Sequence, residues 1–122
     1  MIIMLEKFLK MSILFDFYGA LLTEKQQRCL QMHFSDDLSL SEIADQLGVS
    51  RQAVYDIIHR SEQLLNEYEV KLQLVQRYHE ERRQLEVIYS ELQTAAENAS
   101  DDLKLQHILQ KMAKLLGNVK EA

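Results

Sequence analysis

The chain reads as an all-α protein, a helix-turn-helix with a long C-terminal helical extension, and three observations lead there. Proline is absent and glycine occurs three times in 122 residues, so the strongest helix breakers are nearly missing. Apolar residues recur at three- and four-residue intervals along most of the length, the spacing of a helix face and not the alternation of a strand. From Leu38 to Arg60, the run LSLSEIADQLGVSRQAVYDIIHR has the spacing of two short helices wedged together across a glycine turn.

The first helix is expected from about Met4 to Ala20. Leu5, Phe8, Leu9, Phe15, Tyr18 and Leu22 form its stripe, and Met11, Leu14 and Phe17 widen it. So wide an apolar face implies burial on more than one side. Thr23 and Gln26 have the spacing of a capping box, which starts a second helix with Cys29, Leu30 and Phe34 on its inner face. Ser35, Asp36 and Asp37 then make a loop.

Ser39 and Glu42 form a second capping box, opening the first helix of the motif. Gly48 sits where the turn needs a left-handed backbone, which glycine adopts without strain. Ala44, four residues earlier, keeps the packed face small, and Ser50 follows the turn as an N-cap. Ile43, Leu47, Val49, Val54 and Ile57 supply the apolar wedge.

No cap interrupts the pattern after Arg60. Leu64, Leu65, Tyr68, Leu72 and Val75 continue it, and Leu85, Ile88 and Leu92 resume it beyond the charged run around His79–Arg83, so one long helix is expected from the motif to about Leu92. The charged run reads as a solvated helix face, and Tyr68, Tyr78 and Tyr89 as residues of a helix interface. Thr94 to Ser100 reads as a helix end, with Ser100 capping a last helix from Asp101 to Leu116 that Gly117 terminates. The expected organisation is a helical core over 1–66, containing the motif at 40–60, and a helical region over 67–122. A stripe with no globular partner in the same chain suggests a homodimer through these C-terminal helices.

With Val54 and Ile57 turned inward, the second motif helix presents Ser50, Arg51, Gln52, Tyr55, Asp56, His59 and Arg60. Of these, Ser50, Arg51, Gln52, Tyr55, His59 and Arg60 are the candidate nucleic-acid-binding residues. Arg51 and Gln52 lie in the first turn, where recognition helices touch base edges, arginine suiting guanine and glutamine suiting adenine. Tyr55 suits stacking or a phosphate contact, and Arg60 suits phosphate neutralisation. The charge argues the other way: Thr23 to Arg60 carries four basic and six acidic side chains, net −2, within a chain of net −5. Nucleic-acid binders usually have the opposite sign. Asp56 would meet a polyanion at a cost unless it accepts a hydrogen bond.

Other functions find little support. A single cysteine, Cys29, excludes an internal disulfide and any Cys-rich zinc site, and it reads as a small buried residue. His33, His59, His79 and His107 show no ligand spacing, so no metal or other cofactor is expected. Phosphate loops, HExxH and GxSxG are absent, and with three glycines the chain has little irregular backbone for a catalytic loop, so it is not expected to be an enzyme. No window approaches the roughly 20 apolar residues of a membrane span, and the N-terminal segment lacks a cleavage site, which leads to a cytoplasmic reading without membrane insertion.

The run Leu21 to Leu65 resembles region 4 of bacterial sigma factors, a helix-turn-helix distinct from the winged-helix type. More specifically, the chain is similar to the YlxM family. The likeness rests on the aromatic first helix ending in ALLTEKQ, on DDLSLSEIADQLGVSRQAVYD from Asp36 to Asp56, and on an R-x-E-x-x-L continuation from Arg60 into a tyrosine-rich helix. The resemblance implies a regulatory or accessory role in the signal recognition particle pathway, with DNA or the particle RNA, or other particle components, as partners. It also implies that Ser50, Arg51, Gln52, Tyr55 and His59 face a groove. The alternative is a protein–protein adaptor of the particle whose helix-turn-helix is only a scaffold, an occupation suited to an acidic chain docking on basic partners.

Overall fold

The computed structural model describes residues 2–98 and 102–121, and these form helices and short connections without a strand. In chain order they are α1 (Ile2–Tyr18), a 3-10 turn (Gly19–Leu21), α2 (Glu24–Phe34), α3 (Leu40–Leu47), α4 (Arg51–Leu72), α5 (Leu74–Asn98) and α6 (Leu103–Glu121). They fall into two compact units, Met1–Val75 and Gln76–Ala122.

The first unit is assembled on α4, which packs against α1, α2 and α3. Its inward stripe is Val54, Ile58, Ser61 and Leu65, all buried. These residues advance by four, three and four positions, the steps that hold one helix face in register. Met11, Leu14, Tyr18 and Leu22 meet the stripe from the first helix and its turn, Cys29 and Leu30 from α2, and Ile43 and Ala44 from α3. Ile58, rather than the expected Ile57, is the fully inward residue, and Ile57 is partly buried at the edge. Ser61 is tolerated in this core because its hydroxyl donates to the Ile57 carbonyl at 2.6 Å. Tyr68 and Val75 still pack on the core, so the unit extends through the whole of α4 to the start of α5.

The expected starts of the second helix and of the motif are found in the structure. Both capping boxes form, Thr23 with Gln26 and Ser39 with Glu42. Helix α1 ends at Tyr18, a little before Ala20, because the chain tightens into the 3-10 turn. There Gly19 is needed for closeness, since a Cβ would lie 2.9 Å from the Phe15 ring. Of the wide α1 stripe, Met11, Leu14 and Tyr18 are buried, whereas Leu5, Phe8, Leu9 and Phe17 stay exposed.

The expected unbroken helix to Leu92 is interrupted at Gln73. This residue has φ 54°, in the left-handed region, and its amide donates to the Glu69 carbonyl at 2.9 Å to close α4. Two side chains then serve the opening amides of α5. Leu74 N–H donates to the Tyr18 hydroxyl oxygen at 3.0 Å, and Val75 N–H donates to Glu69 Oε1 at 3.1 Å. The Tyr18 hydroxyl itself donates to the Glu69 carboxylate. Helix ends need such partners because their terminal amides have none within the helix. No break residue marks the place, which is why the periodicity ran through it. Around Tyr78, where the charges interrupt the stripe, α5 is continuous.

The second unit is an antiparallel pairing of α5 with α6. Arg82 crosses between them, donating from Nη2 to the Leu116 carbonyl at 2.9 Å, while its Nε lies 3.3 Å from Glu86. Arg82 is thereby occupied inside the hairpin, so this member of the charged run is turned inward and not onto a solvated face. Among the described residues of this unit, Ala96 and Leu109 are buried. Ser100 and Asp101, expected to cap and open the last helix, lie outside the described residues. Helix α6 begins at Leu103, and Asp102 caps it by accepting from the amides of Lys104 at 3.0 Å and Leu105 at 3.2 Å. Gly117 does not end it: the helix runs on to Glu121, and Gly117 lacks the positive φ of a C-cap glycine.

Candidate nucleic-acid interface

The turn between α3 and α4 is built from backbone chemistry readable in the sequence. Gly48 has φ 67° and ψ 35°, and its amide donates to the Ala44 carbonyl to cap α3. A Cβ there would touch nothing within 4 Å, so glycine serves the backbone conformation and not a tight fit. Val49 N–H also donates to the Ala44 carbonyl, at 3.1 Å. Ser50 then caps α4, its hydroxyl accepting from Ala53 N–H at 3.1 Å. With Ile43 and Val54 inaccessible at the crossing, α3 and α4 are fixed against each other and the outer face of α4 is presented from a rigid base.

That outer face contains each of the residues picked out from the sequence. Ser50, Arg51, Gln52, Tyr55, Asp56, His59 and Arg60 are all exposed. They line the first three turns of α4, opposite the buried Val54 and Ile58. Two internal contacts organise them. Gln52 Nε2 donates to Asp56 Oδ1 at 3.1 Å, one turn along the helix. The rings of Tyr55 and His59 stack with centroids 6.0 Å apart and planes within 2° of parallel, making a flat aromatic surface on the same helix.

The Gln52 contact changes what Asp56 does. Its carboxylate accepts from an amide on its own helix and so fixes the Gln52 side chain, while the negative charge stays on the exposed face. Gln52 retains its carbonyl oxygen and one amide hydrogen for outside partners. A donor and acceptor pair of that kind is what an adenine edge requires. Glutamine was expected at this place from the sequence, but its pairing with Asp56 was not.

Other groups with distinctive environments lie away from this face. Burial raises the Tyr18 phenol above its ordinary value, and its hydrogen bond to Glu69 adds to the rise. Burial also pushes the Cys29 thiol up, with Lys25 opposing, and the side chain is inaccessible. Both belong to the core and to the α4–α5 junction. Among the described residues, no cluster of histidine, cysteine, aspartate and glutamate is arranged to hold a metal ion. No helix among them is long and apolar enough to cross a membrane.

Comparison with known proteins gives a consistent answer. Residues 5–112 match the family model UPF0122, described as "Putative helix-turn-helix protein, YlxM / p13 like". Similar relatives include UPF0122 proteins of Bacillus mycoides (strain KBAB4), Bacillus cereus (strain AH187) and Bacillus anthracis (strain A0248). Each is 48% identical over 101 residues, which cover 83% of this chain and 91% of the relative.

Proposed function

Since the chain belongs to the YlxM / p13-like helix-turn-helix family, we propose that it is a regulatory or accessory protein of the signal recognition particle pathway that binds nucleic acid through the outer face of α4. The observation that carries the reading is the composition of that face. Arginine, glutamine, an aromatic pair and a second arginine are held exposed on the first three turns of a helix whose other side is locked in a core. Arg51 and Gln52 are the base-reading pair, with Asp56 positioning Gln52. Tyr55 and His59 offer a surface on which a base or sugar can lie, and Ser50 and Arg60 suit phosphates at the two ends of the face. The ligand is duplex DNA or the particle RNA.

A second reading has its own observation. The acidic balance of the segment from Thr23 to Arg60, and of the chain as a whole, favours an adaptor that docks on a basic protein and uses the helix-turn-helix as a scaffold.

Fluorescence anisotropy separates the two. The purified protein is titrated into labelled signal-recognition-particle RNA and into random duplex DNA, each at low and physiological salt. The proposal expects binding that weakens steeply with salt, because phosphate contacts release counterions, and that weakens roughly tenfold or more with Arg51→Ala. Preference for the RNA places the protein on the particle, and preference for DNA gives it a transcriptional role. Binding to neither, or binding indifferent to salt and to Arg51→Ala, overturns the nucleic-acid reading in favour of the adaptor.

A further inference from the structure

The α5–α6 hairpin has two unlike sides. One side is a groove lined by Tyr89, Gln93, Ala96, Gln106 and Leu109, polar at its rims. The other is a largely apolar cavity of about 280 Å³ whose lining includes Leu85, Met112, Leu115 and Leu116 together with Tyr78, Glu81 and Arg82. Its apolar character continues along both helices, because Ile88 lies one turn from Leu85 and Ile108 one turn from Met112. Leu85, Ile88, Ile108 and Leu115 are 46%, 46%, 47% and 66% exposed. Two helices make a single layer, and a single layer cannot cover its own apolar side.

We infer that this side is an interface between two copies of the chain, which close into an antiparallel four-helix bundle with α5 of one copy lying on α6 of the other. Charge selects that occupant. Bordering the apolar side, α5 carries the acidic Glu91 and α6 the basic Lys111, whereas Glu86 is paired with Arg82 and Glu97 lines the other groove. A surface that is acidic on one helix and basic on the other is complementary to itself under a two-fold rotation about an axis along the helices. That rotation lays α5 over the partner's α6 and leaves each residue at its own level.

Two residues mark the fit. Glu91 follows Ile88 by three positions and borders the apolar stripe on α5; Lys111 stands in the same relation to Ile108 on α6. The Arg82 to Leu116 bond, and the facing of Ala96 and Leu109, put Glu91 and Lys111 within about one turn of the same level. Neither has an ion-pair partner among the described residues. In the bundle each Glu91 meets Lys111 of the second copy, twice. The size also suffices: two helices about 30 Å long and about 10 Å wide present roughly 600 Å² per copy, which gives a total at the lower end of specific interfaces.

The test is sedimentation velocity of the full chain at low salt, with circular dichroism confirming that each variant keeps its helix content. The wild type is expected to be a dimer at micromolar concentration. Glu91→Lys and Lys111→Glu, both at exposed positions, are each expected to weaken self-association at least tenfold, since each brings like charges together twice. Mixing the two variants restores both attractive pairs, and a heterodimer of near wild-type affinity is the result the inference requires. A wild type that stays monomeric up to about 100 µM, single variants that dimerise undiminished, or a mixture no better than its components would each overturn it. Rescue on mixing separates contact between copies from any contact within one hairpin. The outcome does not depend on nucleic-acid binding.

Discussion

Tyr18→Phe isolates the device that ends α4 and starts α5. The ring stays, so the packing of a side chain only 1% exposed is unchanged, and only the hydroxyl is lost. Two groups then lose their partner at once: Leu74 N–H, which donates to that oxygen at 3.0 Å, and the Glu69 carboxylate, which accepts from it. A hydrogen bond to a charged group is worth about 1.5–3 kcal/mol net, and leaving a half-buried amide unpaired costs about 1–3 kcal/mol. Partial rehydration at this half-buried junction shares the loss, so about 2 kcal/mol in total is expected. The direct assay is amide hydrogen exchange at Leu74 and Val75 by NMR. Both amides should lose protection by about 30-fold, the ratio that 2 kcal/mol represents, while amides around Ile43 in α3 lose less. The same variant has a pH signature. Because the Tyr18 pKa is raised in the folded protein, stability is complete below the unfolded tyrosine value near 10.0 and falls as pH rises through the folded value. Wild type should lose stability above about pH 10 more steeply than Tyr18→Phe. Unchanged protection at Leu74 together with parallel alkaline profiles would refute the reasoning.

Three further outcomes follow from the same structure. Gly48→Ala forces an L-residue to φ 67° with nothing near its Cβ, so the loss is purely conformational, about 1–2 kcal/mol, read as a lower urea midpoint with unchanged m-value. Leu65→Ala, at a fully buried position on α4, should cost about 2–5 kcal/mol in the same assay. Asp56→Ala should tighten non-specific nucleic-acid binding by removing a negative charge, yet reduce discrimination for an A·T pair because Gln52 loses its tether; anisotropy against duplexes differing at one pair reads both.

Much of the fold was legible because it depends on local backbone chemistry. Thr23–Gln26, Ser39–Glu42, Gly48 and Ser50 each act through residues no more than four positions away, and spacing along the chain displays such relations directly. The exposed face of α4 followed from the same logic, since fixing the inward residues fixes the outward ones. What escaped was set by distant partners. The break at Gln73 depends on Tyr18, 56 positions before Leu74, and nothing about glutamine announces a left-handed backbone. Ile58 displaces Ile57 as the inward residue because α4 is packed from several sides at once, which a single stripe cannot express. Within the candidate site, the sequence showed the residue types but left Asp56 as an electrostatic liability. Its contact with Gln52 is the exception to that rule: it is a local i,i+4 amide–carboxylate pair, legible from the spacing of the two residues.

The most direct measurement is NMR titration of the isotope-labelled full chain with signal-recognition-particle RNA and, separately, with duplex DNA. Binding through the outer face of α4 requires that the largest shifts fall on Ser50 to Arg60, with Gln52 and Asp56 side-chain signals moving together and residues of α1 and α2 nearly still. Shifts confined to other elements, or spectra unchanged by either nucleic acid at saturating concentration, would contradict it.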